Sequence, residues 1–207
     1  MTRHFRFAML GVVLAAALLA PAAWTADAET LARQVTIHRD EWGVPHIEGE
    51  TDEAVTFGLA YAQAEDYFWQ IEEIYLRSIG RHAEMVGDVK GIQFWPEGVT
   101  SDILSRSFEV ARRSMDDFPK LPDDSRMVCE AYAAGINHYL QKNPQVTPAV
   151  LDYFEPWMVL AMSRFTMLEW SIQRAGYNPG RQQQFADAMR REIGSNFWAI
   201  GPTRTKD

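Results

Sequence analysis

A serine at a boundary of composition is the feature of this sequence most able to do chemistry. In RREIGSNFWAIGP, Arg190 to Pro202, a charged helical run stops at Gly194, Ser195 follows at once, and an apolar, aromatic run begins. On the residues alone, a hydroxyl at such a junction is a turn or cap group. To act as a nucleophile it needs a base. None of the familiar arrangements supplies one: there is no G-x-S-x-G, no H-E-x-x-H, no P-loop and no G-x-G-x-x-G. His4, His38, His46, His82 and His138 are scattered, with none at metal-ligand spacing. His38 and His46 could face each other across a hairpin, where a structural hydrogen bond fits better than a metal. The acidic pairs Glu72-Glu73, Asp116-Asp117 and Asp123-Asp124 read as solvated helix faces or caps. Cys129 is the single cysteine, so no internal disulfide can form, and its apolar helical surroundings point to a buried, inert thiol.

The elements that must position Ser195 lie upstream. The chain has 207 residues, 47% of them hydrophobic and 12% aromatic, which is enough for one good-sized core or two small ones. A net charge of −8 without a basic patch argues against nucleic acid as a partner. The first residues carry Arg3 and Arg6, then an uncharged run from Phe7 to Ala20, then small residues. That is the pattern of a signal peptide, with cleavage expected after Ala28. Residues 1–28 are therefore expected to be removed, and the remainder to be periplasmic or secreted. No later run reaches the roughly 18 apolar residues of a membrane helix, so no membrane association is expected after signal removal.

RQVTIHRDEWGVPHIEG alternates and turns through Trp42-Gly43, which predicts a β-hairpin with Pro45 near an edge. A long helix follows, with Thr51 or Asp52 at its start and Gly80 and Gly87 punctuating its end. Phe68, Ile71, Tyr75 and Ser78 draw its buried stripe. A shorter helix is predicted over Ser101 to Asp117. Another runs from Pro122 to about Gln141 with Val128, Tyr132, Ile136 and Tyr139 inward. EPWMVLAMSRFTMLEWSI is apolar nearly all round, which predicts a deeply buried helix. PGRQQQFADAMRREIG is amphipathic and ends at Gly194, where a helix-terminating glycine sits.

Several of these segments, in this order, resemble the penicillin acylases and their relatives, the acyl-homoserine lactone and glutaryl-cephalosporin acylases. The matching pieces are the RDEWGVPHI hairpin, the GLAYAQAEDYFWQIE helix, GRHAEMVG, AYAAGINHYL, EPWMVLAM and finally GSNFWAIGP. The resemblance runs from about Gln34 to the end of the sequence. It implies an α+β protein with the αββα architecture of N-terminal nucleophile hydrolases when complete. This stretch would be mainly α-helical, with an N-terminal hairpin and the first strand of a β chain at its C-terminal end. Residues 29–194 would form the acylase α chain and residues 195–207 the start of the β chain, with its oxyanion-hole donors beyond Asp207. Residues 177–194 resemble the spacer that some members excise, although a helix kept on the α chain fits equally well.

The resemblance further implies that the precursor cuts itself between Gly194 and Ser195. Ser195 would then be both nucleophile and, through its freed α-amine, base. Its partners would be its own β chain and a small N-acyl amide of the penicillin or acyl-homoserine lactone type. Met167, Leu168 and Trp170 match the region that lines the acyl pocket in some relatives, though core packing also explains them. No cofactor is required. A structural calcium ion is compatible with the family, with Glu169 the nearest acidic ligand at a spacing that matches poorly. The non-enzymatic alternative is an exported helical binding module.

Overall fold

The computed structural model describes residues 28–89 and 98–175. In chain order these form α1 (Ala28–Gln34), β1 (Val35–Arg39), β2 (Pro45–Gly49), α2 (Asp52–Ile79), α3 (His82–Val86), α4 (Gly98–Ser107), α5 (Val110–Asp117), a 3-10 turn (Phe118–Lys120), α6 (Asp123–Lys142) and α7 (Pro156–Ala175). The fold is α+β, mostly helical with one antiparallel hairpin. None of the described helices is long and apolar enough to cross a membrane.

The hairpin pairs Val35 with Gly49 and His38 with His46. The two histidines therefore stand opposite each other, with ring centroids 6.4 Å apart. Asp40 shapes the turn, its Oδ1 accepting the Trp42 and Val44 N–H groups at 2.9 Å each. Those backbone donors, Val44 first, hold the Asp40 carboxyl below its ordinary range. Arg39 ties the strand to α2 through Glu65 at 2.6 Å and Asp66 at 2.8 Å.

Helix α2 is the axis of the fold. Thr51 caps it, its hydroxyl accepting the Ala54 N–H at 3.1 Å. Gly80 ends it in the left-handed conformation, so its predicted start and end are both met. The predicted stripe is buried: Phe68, Ile71 and Tyr75 meet Leu76, Ile136, Tyr139, Leu151, Phe154 and Met158 in the core between α2, α6 and α7, and Ser78 is buried with its hydroxyl donating to the Tyr75 carbonyl. Two glycines set how closely the elements approach. A Cβ on Gly58 would lie 2.5 Å from Val35 Cγ2, so the bare glycine lets the hairpin rest on α2. A Cβ on Gly135 would lie 2.3 Å from the Phe57 carbonyl oxygen, so α6 crosses α2 at backbone contact.

Four expectations need correction. Glu72 is not on a solvated face; it is fully buried, and its carboxylate accepts N–H groups from Ala149 at 3.0 Å, Val150 at 2.6 Å and Leu151 at 2.8 Å. A carboxylate can accept several donors at once, so one side chain satisfies a whole turn of the 148–151 loop. The helix predicted over Ser101 to Asp117 is two helices, because Glu109 takes a left-handed conformation at φ 53°. Val128 faces outward from α6, unlike Ile136 and Tyr139. Helix α7 is buried on one side only: Ala161 and Phe165 are inside, whereas Met167 and Trp170 are exposed.

Asn137 clamps the approach to α7, donating to the Phe154 carbonyl and accepting the Phe154 N–H, both at 2.8 Å. Asp102 on α4 accepts the His82 and Ala83 N–H groups at 2.6 and 3.1 Å and so caps the start of α3. Arg164 on α7 reaches Asp117 at the end of α5, 2.7 Å away.

Candidate functional site

Gly194 and Ser195 lie outside the described residues, as do the spacer candidate 177–194 and the strand expected after Ser195. What the structure shows is the scaffold leading to them, and above all the C-terminal half of α7. Helical spacing sends its residues to different sides. Met167 and Trp170, three apart, share an outward face and are 70% and 49% exposed. Leu168 turns the other way and packs against Val110, Ala161 and Phe165. Glu169 is buried, only 6% exposed.

Glu169 ends a chain of charged groups that joins α7 to α2 and α3. Its Oε1 is 3.9 Å from Arg77 Nη1. The Arg77 guanidinium also holds Glu73, with Nη2 at 3.1 Å and Nε at 3.2 Å from Oε1. Glu73 Oε1 in turn lies 3.4 Å from His82 Nε2. His82 Nδ1 accepts the Gly98 N–H at 3.0 Å, so a neutral ring carries its proton on Nε2, toward Glu73. Burial pushes the Glu169 carboxyl above its ordinary range, and Arg77 only partly opposes it. The family resemblance singled out Glu169 but not Arg77, Glu73 and His82. Only the Glu73-to-Arg77 spacing of four could have signalled part of this cluster.

As a calcium ligand Glu169 is poorly placed. Calcium takes six to eight oxygen ligands. Among the described residues no three His, Cys, Asp or Glu side chains gather around one point. The cation nearest Glu169 is already Arg77. The described residues do not fit a calcium site.

Nor do the described side chains pair a nucleophile with a base. The Ser78, Ser105 and Ser114 hydroxyls donate to backbone carbonyls at 2.6 to 2.8 Å. The Cys129 thiol is buried, and its pKa is pushed up to about 11 by that burial, as an inert thiol requires.

Comparison with known proteins decides the family. The penicillin amidase family model matches residues 34–207. This chain belongs to that family. The match takes in the hairpin, every described element from β1 onward, and the Gly194-Ser195 junction. Penicillin acylase 2 proenzyme from Pseudomonas sp. (strain SE83) is 27% identical over 157 residues, covering 72% of this chain and 19% of that protein. Acyl-homoserine lactone acylase QuiP from Pseudomonas syringae pv. tomato is 29% identical over 129 residues, covering 62% of this chain and 15% of that protein. The chain thus spans about a fifth or less of the length of these relatives. Among solved structures, a thermostable penicillin G acylase from Alcaligenes faecalis superimposes with a TM-score of 0.55 at 22% identity, covering 76% of this chain and 80% of that one. That likeness confirms the fold. For a penicillin amidase, the described region is a framework, and α7 is its last described element before the junction.

Proposed function

We propose that this chain is the N-terminal part of a self-processing acylase that hydrolyses the linear amide bond of N-acyl compounds. Its substrates would be penicillin-type amides or acyl-homoserine lactones. The observation that carries the proposal is the family match, whose range, residues 34–207, takes in Gly194 and Ser195. The relatives named as penicillin and acyl-homoserine lactone acylases support the substrate class. The name proenzyme, carried by one of them, supports a processing step.

In the precursor, Ser195 Oγ attacks the Gly194 carbonyl carbon and the Ser195 nitrogen leaves as an amine, giving an ester. Water hydrolyses that ester to a Gly194 carboxylate and a free Ser195 hydroxyl. Glycine suits the step because a residue without Cβ tolerates a distorted backbone. Processing turns an amide nitrogen, which is not a base, into an α-amine with a pKa near ~8. Near neutrality a useful fraction of that amine can take the Oγ proton, directly or through one water. Ser195 Oγ then attacks the substrate carbonyl. The proton passes to the departing amine, an acyl ester remains on Oγ, and water releases the acid. Donors for the developing oxyanion, typically worth ~10²–10³ in rate, belong to the β chain that pairs with this one.

In this reading the outward Met167 and Trp170 offer apolar surface to the acyl group. Residues 1–28 direct export to the periplasm or beyond, and no cofactor enters the reaction. The test compares the full-length protein with its Ser195→Ala variant, assayed on phenylacetyl, long aliphatic and glutaryl amides. An uncut, inactive variant beside a cleaved, active wild type is expected. A variant that still processes and turns over normally overturns the proposal.

A further inference from the structure

Helices α3 and α4 cap each other, and the two caps differ in chemistry. Asp102, in the second turn of α4, accepts the His82 and Ala83 N–H groups at 2.6 and 3.1 Å. In return the His82 ring, at the start of α3, accepts the N–H of Gly98, the first residue of α4, through Nδ1 at 3.0 Å. A helix leaves its first N–H groups without an intrahelical acceptor, so each side chain satisfies donors that the other helix leaves open. Both caps are buried, His82 at 1% and Asp102 at 8% exposure. Gly98 also sits directly on the end of α3, since a Cβ there would lie 2.4 Å from the Gly87 carbonyl oxygen.

We propose that the bond between His82 and Gly98 is an acid-sensitive pin: protonation of His82 frees the first turn of α4 while α3 stays capped. The ring accepts from Gly98 only because Nδ1 carries no proton. An imidazolium has an N–H on both ring nitrogens, so its Nδ1–H would face the Gly98 N–H, donor against donor. The pinned state therefore binds one proton fewer than the released state, and its population falls as pH falls. Imidazole is the side-chain group that titrates near neutrality, at ~6.5 when free, which makes the α4 cap the sensitive one of the two. The surrounding charges leave protonation open. On α2, Glu73 Oε1 lies 3.4 Å from Nε2 and offers an anion to the charged ring. Arg77 is held by that same Glu73 at 3.1 Å and faces Glu169 of α7 at 3.9 Å. On α4, Asp102 is a second nearby anion, and Arg106 donates to the Gly80 carbonyl at 2.8 Å. Beside His82 itself, Arg81 and Glu84 pair with each other at 2.7 Å.

The test is hydrogen exchange followed by mass spectrometry on the full-length protein from pH 8 to pH 5, corrected for the intrinsic pH dependence of exchange. One net hydrogen bond predicts that protection of the first turn of α4 falls about fivefold to tenfold along a one-proton curve, while residues 82 and 83 keep theirs. In His82→Asn, whose Oδ1 takes the place of Nδ1 and does not titrate, that pH dependence disappears. Should this variant fail to fold, Glu73→Gln gives a second reading: losing the anion beside Nε2 moves the midpoint to lower pH. A flat wild-type profile, an unchanged fall in His82→Asn, equal loss at residues 82 and 83, or an unmoved midpoint in Glu73→Gln would each overturn the inference. Backbone protection is read here rather than amide hydrolysis, so a failure would leave the acylase reading standing.

Discussion

Replacing Glu72 by alanine would remove the one acceptor that holds the 148–151 loop against α2. Three backbone N–H groups, from Ala149, Val150 and Leu151, depend on that carboxylate, and the Leu151 bond is buried. Each joins positions 77 to 79 residues apart in sequence, so no local element can replace it. A hydrogen bond to a charged group is worth about 1.5–3 kcal/mol net, and stranding a buried donor costs a similar amount. Water can reach the two half-buried donors after the loop shifts, so the whole effect is about 3 kcal/mol rather than the sum of three full bonds. At 1.4 kcal/mol per tenfold, hydrogen-exchange protection of the 149–151 amides should fall about 100-fold. Glu72→Gln should fall between wild type and alanine. Its carbonyl can still accept from Val150 and Leu151, while its NH₂ faces the Ala149 N–H. Hydrogen exchange followed by mass spectrometry on the full-length protein would measure both. Unchanged protection of these amides in Glu72→Ala would refute the reasoning that this carboxylate organises the loop.

Other predictions follow from the same geometry. Gly135→Ala pushes a methyl to within 2.3 Å of the Phe57 carbonyl and should destabilise by about 2–3 kcal/mol, measured as a lowered Tm. Gly43→Ala, with open space around it and only φ +80° to resist, should cost about 1–2 kcal/mol. The Glu169 carboxyl has a raised folded-state pKa, so above the ordinary carboxylate value the folded state binds more protons than the unfolded one. Its contribution is therefore full in acid and is lost as pH rises through the folded pKa. Glu169→Gln should raise Tm relative to wild type at pH 7 but not at pH 4. If Met167 meets the acyl group, Met167→Ala should lower kcat/KM about tenfold, the loss expected for one buried apolar side chain, without lowering Tm.

Much of the scaffold was legible because its signals are local. Thr51 before a first turn of acids marked the start of α2, and four apolar or small residues at helical spacing marked its buried face. The hairpin was legible from strand alternation but its register was not: a two-residue turn at Trp42-Gly43 would pair Arg39 with His46, whereas the chain turns between Asp40 and Val44 and sets His38 against His46. Features that depend on long-range partners were hidden. Glu72 lies four residues after Phe68 and three before Tyr75, so the stripe itself placed it inward; its charge suggested solvent because its donors come from a distant loop. The break at Glu109 had no glycine to announce it. Helix α7 looked buried all round because apolar composition cannot distinguish a core from a surface awaiting another partner. The grouping of Glu169 with Arg77, Glu73 and His82 needed α2, α3 and α7 in place. Ser195 was the reverse case. Its residues alone suggested a turn, and only the order of the surrounding segments pointed to a nucleophile.

The central claim is that cleavage before Ser195 creates the catalytic base. N-terminal sequencing of the active full-length protein after processing tests it directly. A chain beginning Ser195-Asn196-Phe197-Trp198 is the predicted result. Full amidase activity in protein whose Gly194-Ser195 bond is intact would contradict it.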